Sequence, residues 1–145
     1  MTTKIKAVAF DFDGVIAETT KLKSELFLKM FEGLPEYSAI VDYEKIHQAL
    51  PRRKKIDDIL KTILNINHGK SIDFYLNKYA DDLAEVLPKA PIVKGCEMFI
   101  QSLQSNQISL FIVSSGMATE IENYLGPSRI KFFQQIFNWE LWNFY

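Results

Sequence analysis

The chain has 145 residues, of which 48% are hydrophobic, and its formal net charge at neutral pH is −1. This composition permits a folded core and argues against disorder, and the near-neutral charge gives no electrostatic reason to expect a nucleic-acid or membrane partner. The single cysteine, Cys96, cannot form an internal disulfide, which fits a reducing, cytoplasmic setting.

A short apolar run near the start of the chain ends in two acids. Residues 5–10 are followed by Asp11, Asp13 and Gly14. The run predicts a strand buried on both faces of a parallel sheet, and the carboxyl edge of such a sheet is where open α/β folds place their chemistry. Two neighbouring acids repel each other, so we expect a cation or a reaction to use them. The alternative is that they only cap the turn after the strand.

The next segment has the apolar spacing of helices. The spacing predicts helices over residues 22–30 and 56–64, and a shorter helix over 42–50 that Pro51 stops. A further helix is expected over 72–87, with Ser71 as its N-cap.

The remaining segment returns to alternating helices and strands. A helix opening at Gly95, a strand-like run over residues 108–113, a helix stopped by Gly126-Pro127 and a third strand near 136–137 are expected. This order predicts an α/β core interrupted by an inserted all-helical cap. The core would comprise residues 1–16 and 88–145, and the cap residues 17–87.

The two acids suit phosphoryl transfer. A carboxylate is a competent nucleophile toward phosphorus, so Asp11 could form an aspartyl-phosphate. In an extended segment Asp13 points the same way, and it could protonate the leaving oxygen and later deprotonate water. Mg²⁺ suits an oxygen-only site and offsets the repulsion between carboxylate and phosphate. Gly14 would let the backbone turn closely around the phosphate.

Two further groups are candidate ligands of an anion. Ser114 ends the second apolar run before a helix, so its hydroxyl and the first helix amides could hold phosphate oxygens. The alternative is a plain N-cap serine, and Ser115 is the better candidate for that cap. The basic run over residues 52–55 is either a solvated helix face or a source of one or two cations for an anionic substrate.

These residues resemble motifs of the haloacid dehalogenase superfamily, within its phosphoglycolate phosphatase and β-phosphoglucomutase branch. The resemblance covers most of residues 4–137. Residues 10–16 with Glu18 and Thr19 resemble the first motif, and residues 112–115 resemble the second. Residues 88–95 are similar to the segment that leads out of the cap. Arg52 and Lys55 match an Arg-x-x-Lys pattern at a cap helix of some phosphosugar members.

The resemblance implies a Rossmann-like three-layer core and an enzyme, a Mg²⁺-dependent phosphomonoester hydrolase acting on a small phosphorylated metabolite. Asp11 would be the nucleophile and a Mg²⁺ ligand, and Asp13 the general acid/base that lends its carbonyl to Mg²⁺. Ser114 would bind the phosphate. The residues expected to bind substrate are Gly14, Ser114, Ser115, Arg52 and Lys55.

Two motifs of the family, a lysine after the third strand and a Gly-Asp acidic motif after the fourth, are missing from the 145 residues. Lys131 precedes the position of the family's lysine, and Glu140 has no Gly-Asp context. We therefore expect a truncated member, a frameshifted terminus or half of a site completed by another chain, with an incomplete sheet and little or no activity alone. The first strand would be an uncovered edge that can self-associate. The alternatives are an inactive phosphate-binding remnant or interaction module, and a phosphosugar mutase.

Overall fold

The computed structural model describes residues 4–66 and 69–138, which fall into two compact units. One unit comprises Met1–Thr19 and Leu87–Tyr145, and the other is Thr20–Val86. All strands of the described residues lie in the first unit, whereas the second is helical. The assignment of the two units as a core and a cap stays a prediction. No helix in the described ranges is both long and apolar enough to cross a membrane.

The first unit is built on a parallel sheet of three strands, β1 (Ala7–Phe10), β2 (Ser109–Ser114) and β3 (Gln135–Asn138). They lie side by side in that order, with Phe10 opposite Ile112 and Ser114 opposite Asn138. Since the strands are parallel, their carboxyl ends meet at one edge, where Asp11, Ser114 and Asn138 all lie. The predicted α/β fold class is confirmed.

Among its described residues the helical unit contains four α-helices, and several of their boundaries differ from expectation. They are α1 (Thr20–Lys29), α2 (Tyr37–Ile46), α3 (Arg52–Asp58), which continues as a π-helical turn over Ile59–Ile63, and α4 (Gly69–Val86). The expected helix over 42–50 starts earlier and ends at Ile46, because α2 buries Ile40 and Glu44 rather than its exposed end. Ser71 lies inside the first turn of α4, so its assignment as N-cap is wrong.

The chain returns to the first unit through a 3₁₀ turn over Leu87–Lys89 and continues into α5 (Cys96–Ser105) and α6 (Ala118–Ile130). Gly95 precedes α5 with a φ of +86°, a left-handed conformation that favours glycine. The predicted stop at Gly126-Pro127 is instead a kink: Gly126 is non-helical, and the helical run resumes because proline suits a first helical position.

Strand β1 is buried on one face only, which corrects the expectation of burial on both. The Phe10 ring contacts Phe99 of α5 and Phe133 at centroid distances of 6.0 and 6.1 Å. Ala7 and Ala9, which point the other way, are exposed. In the described part of the sheet β1 is an edge strand, so little covers its second face. The aromatic residues after Asn138 lie outside the described ranges.

Candidate functional site

The segment that leaves β1 alternates between accessible acids and a buried ring. Phe12 is fully buried, and its ring meets that of Tyr124 edge-on at 5.3 Å. Asp11 is exposed and Asp13 is half-buried. Because successive side chains of an extended segment point to opposite sides, anchoring Phe12 in the core turns both carboxylates away from it.

The two carboxylates are held in different ways. The backbone N–H of Phe12 donates to Asp11 Oδ1 at 2.6 Å. Among the described residues no side chain hydrogen-bonds to Asp11, so the rest of this carboxylate faces outward. Asp13 Oδ1 accepts a hydrogen bond of 2.5 Å from Oγ1 of the fully buried Thr19. Sequence reasoning gave Thr19 a place in the first motif but no role, although a threonine shortly after two acids was a usable signal.

A tight turn follows the acids and fixes their backbone. The N–H groups of Ile16 and Ala17 donate to the Phe12 carbonyl at 3.0 and 3.1 Å, and the Gly14 N–H donates to the Ala17 carbonyl at 2.7 Å. Gly14 has a φ of +75°, which side chains disfavour. Ala17 also pairs with Ile92, which ties the turn to the segment that leads into α5. The turn is therefore stabilised by hydrogen bonds within its own backbone and by pairing with a neighbouring segment.

At the end of β2, Ser114 presents a buried hydroxyl. The side chain is 2% exposed, and its Oγ accepts the Gly116 N–H at 3.0 Å. A hydroxyl combines one donor with two acceptor sites, so accepting from Gly116 leaves the Ser114 O–H able to donate to an anion.

The turn after β2 leads into α6 without a side-chain cap. The N-cap of α6 is Met117, whose side chain makes no capping hydrogen bond. The prediction that Ser115 caps this helix is therefore wrong. Ser115 is exposed. Helix termini leave their first N–H groups without intrahelical partners, and such groups favour negative charge. The Asn138 side-chain amide donates to the Gly116 carbonyl at 3.3 Å, a contact that sequence reasoning missed.

The basic run of the helical unit divides into separate roles. Lys55 is buried, and its Nζ donates to both oxygens of Glu44 at 2.8 and 3.0 Å while lying 4.3 Å from the Phe27 ring centroid. Arg53 pairs with Asp73 at an exposed position. Lys55 is thus committed to an internal ion pair, which speaks against the predicted contact with substrate.

Two other members of the run also have partners within the helical unit. The Arg52 guanidinium lies 4.0 Å above the Tyr79 ring. Lys54 donates to Asp58, and this hydrogen bond, aided by one from Tyr43, lowers the pKa of Asp58 below its usual range. The Arg52 side chain is half-buried, and its predicted contact with an anionic substrate stays a prediction.

The donors near Asp11 have the chemistry that Mg²⁺ requires. In residues 4–66 and 69–138 no group of three or more His, Cys, Asp or Glu side chains could hold a metal ion. Mg²⁺ does not need one, because it keeps several waters and is usually bound by one or two carboxylates together with phosphate oxygens. The exposed Asp11 carboxylate next to Asp13 fits this oxygen-only pattern.

Comparisons with known proteins identify one family. Residues 8–141 match the family described as haloacid dehalogenase-like hydrolase. No curated protein matches the chain in sequence.

Solved structures share the fold at low sequence identity. A predicted phosphoglycolate phosphatase from Haemophilus somnus 129PT has a TM-score of 0.72 and 13% identity, over 94% of this chain and 64% of that one. CbbY from Rhodobacter sphaeroides in complex with phosphate has a TM-score of 0.70 and 18% identity, over 92% and 63%. YfnB from Bacillus subtilis bound to magnesium has a TM-score of 0.62 and 20% identity, over 92% and 65%.

The chain therefore spans just under two thirds of the length of each of these proteins. At these identities the structures establish the fold alone, whereas the family match extends over most of the chain. From that match and from the acids that follow β1, the chain belongs to the haloacid dehalogenase-like hydrolase family.

Proposed function

We propose that the carboxyl edge of the sheet is a phosphoryl-transfer site, and that the protein to which this chain belongs is a Mg²⁺-dependent phosphomonoester hydrolase. The observation that carries the proposal is the pair Asp11 and Asp13, which the burial of Phe12 turns outward at the same edge as the Ser114 hydroxyl. A nucleophile, a second acid and a hydroxyl donor are the groups that such a reaction needs.

In the proposed reaction an Asp11 oxygen attacks phosphorus, the bond from phosphorus to the ester oxygen breaks, and an aspartyl-phosphate forms. Asp13 gives its proton to the departing alkoxide and then takes one from the water that releases inorganic phosphate. Thr19 holds one oxygen of Asp13 and thereby fixes the orientation of that carboxyl group. The Ser114 O–H donates to a phosphate oxygen.

Asp11 and the backbone carbonyl of Asp13 would hold the Mg²⁺. The ion would supply positive charge where an anionic nucleophile meets an anionic substrate. Support comes from the oxygen-only donor set and from the magnesium bound to YfnB, which has the same fold. Gly14, which follows Asp13, and Ser115, which follows Ser114, stay proposed substrate contacts through their backbone groups.

We further propose that the helical unit acts as the cap that selects a small phosphorylated metabolite, with Arg52 as its candidate anion ligand. A cytoplasmic location stays a prediction, as does the expectation of little or no turnover by this chain alone.

The proposal is tested by trapping the covalent intermediate, which does not depend on turnover. The chain is incubated with Mg²⁺ and acetyl phosphate, whose acetate leaves without needing a general acid, and is then treated with borohydride. Borohydride reduces an aspartyl-phosphate to homoserine, and peptide mass spectrometry locates the change. We expect homoserine at position 11, none in Asp11→Asn, and accumulation in Asp13→Asn because the second step is slowed.

Two results would contradict the proposal. Labelling at Asp13 or at an unrelated acid would remove Asp11 as nucleophile. An unlabelled wild type and an unlabelled Asp13→Asn would leave the inactive remnant as the better account of this chain.

A further inference from the structure

Gly116 is held at both of its backbone polar groups by side chains from two different strands. Its N–H donates to Ser114 Oγ at 3.0 Å, and its carbonyl accepts from Asn138 Nδ2 at 3.3 Å. Ser114 and Asn138 are the last residues of β2 and β3 and lie opposite each other in the sheet register. Gly116 itself is buried.

We propose that Asn138 is a positioning residue of the phosphate site, acting through Gly116 rather than by touching substrate. The inference rests on the proposed function, in which the Ser114 hydroxyl holds a phosphate oxygen. It assigns to the end of β3 a role that neither the family match nor the sequence motifs gave it.

The planarity of the peptide bond couples Asn138 to the start of α6. The Gly116 carbonyl and the Met117 N–H belong to one trans peptide unit, so they point in opposite directions. A hydrogen bond from Asn138 to that carbonyl therefore also fixes the direction of the Met117 N–H at the start of α6. The Gly116 N–H belongs to the preceding peptide unit, and its own hydrogen bond to Ser114 Oγ leaves the Ser114 proton for the phosphate.

The hydrogen bond from Asn138 joins the end of β3 to the turn after β2, at the functional edge of the sheet. At the opposite end of the same pair, the exposed Gln134 side chain donates to Ser109 Oγ at 3.0 Å. Gln134, the residue before β3, offers a matched control, since its side-chain amide also bonds to β2 but lies away from Ser114.

The test measures binding of beryllofluoride, a phosphoryl mimic, in the presence of Mg²⁺ to the full chain. Asn138→Leu keeps the branched shape but removes the donor. Loss of one neutral hydrogen bond predicts an affinity reduced roughly two- to tenfold. Gln134→Leu should leave the affinity unchanged. In the wild type, nuclear magnetic resonance should show that the Asn138 side-chain amide signals shift on binding while those of Gln134 do not.

The outcomes separate this inference from the proposed function. Wild-type binding with unchanged affinity in Asn138→Leu, or with unshifted Asn138 signals, overturns the positioning role alone. No wild-type binding overturns both. An equal loss of affinity in Asn138→Leu and Gln134→Leu would indicate general loosening of the sheet and would also overturn the positioning role. If Asn138→Leu does not fold, the wild-type shifts decide.

Discussion

The buried ion pair of the helical unit gives the largest expected effect of a single substitution. Lys55 of α3 and Glu44 of α2 have side chains that are 9% and 3% exposed, and the Lys55 Nζ bonds to both carboxylate oxygens. Ser24 of α1 adds a hydrogen bond to Glu44 at 3.3 Å. Together with Ser24, the pair ties three helices together.

Replacing Lys55 by Met removes the cation but keeps a long apolar side chain against Phe27. Glu44 is then a buried charge without its counter-ion, and breaking such a pair costs roughly 3–5 kcal/mol in free energy of unfolding. Adding Glu44→Leu removes the stranded charge as well. Because apolar replacement of a whole buried pair is often neutral, the double variant should recover most of the lost stability.

Urea unfolding followed by circular dichroism measures these free energies, and Arg53→Met is the matched control. Arg53 and Asp73 are 65% and 66% exposed, so breaking their ion pair should cost less than about 1 kcal/mol. If Lys55→Met lowers the free energy of unfolding no more than Arg53→Met does, the buried ion pair does not have the strength assigned to it. If instead Lys55→Met left stability intact but weakened phosphate-ester binding, the original prediction of a substrate role would be restored.

Three further predictions concern the acids and the sheet edge. Thr19→Val should lower the free energy of unfolding by roughly 1–3 kcal/mol relative to Thr19→Ser, because it removes the buried hydroxyl that donates to Asp13. Equal urea midpoints of the two variants would contradict this. For Asp58, whose pKa is lowered in the folded state, the stabilising contribution is complete above the usual Asp range and is lost as the pH falls through the folded pKa. The stability difference between wild type and Asp58→Asn should therefore shrink on acidification, and a difference that grows would reverse the assigned sign. Ala7→Lys, at an exposed position of edge strand β1, should reduce concentration-dependent association in sedimentation experiments, and unchanged association would place the contact elsewhere.

The sheet and the acids were predictable because their signals are local. Short apolar runs ending in polar residues predicted β1 and β2, two apolar residues in an aromatic-rich segment predicted β3, and the Asp-x-Asp spacing placed both carboxylates beside the end of β1. The same reasoning overestimated the burial of β1, since small residues such as Ala7 look alike in a central and an edge strand.

Other features depend on residues far apart in the sequence. Four consecutive cations look equivalent locally, yet only Lys55 meets the buried Glu44 of a preceding helix. Glu44 also explains the misplaced bounds of α2, because an acid that faces the interior disturbs the apolar period. The contact from Asn138 to Gly116 requires the register of β2 and β3, which no single segment encodes.

The central claim is that Asp11 accepts a phosphoryl group at the carboxyl edge of the sheet. Fluorine nuclear magnetic resonance of the chain with beryllofluoride tests it most directly, because the mimic forms a complex with a carboxylate that resembles an aspartyl-phosphate. We predict bound fluorine signals in the wild type that require Mg²⁺ and vanish in Asp11→Asn. Wild-type spectra that contain only free beryllofluoride, or bound signals that persist in Asp11→Asn, would contradict the account.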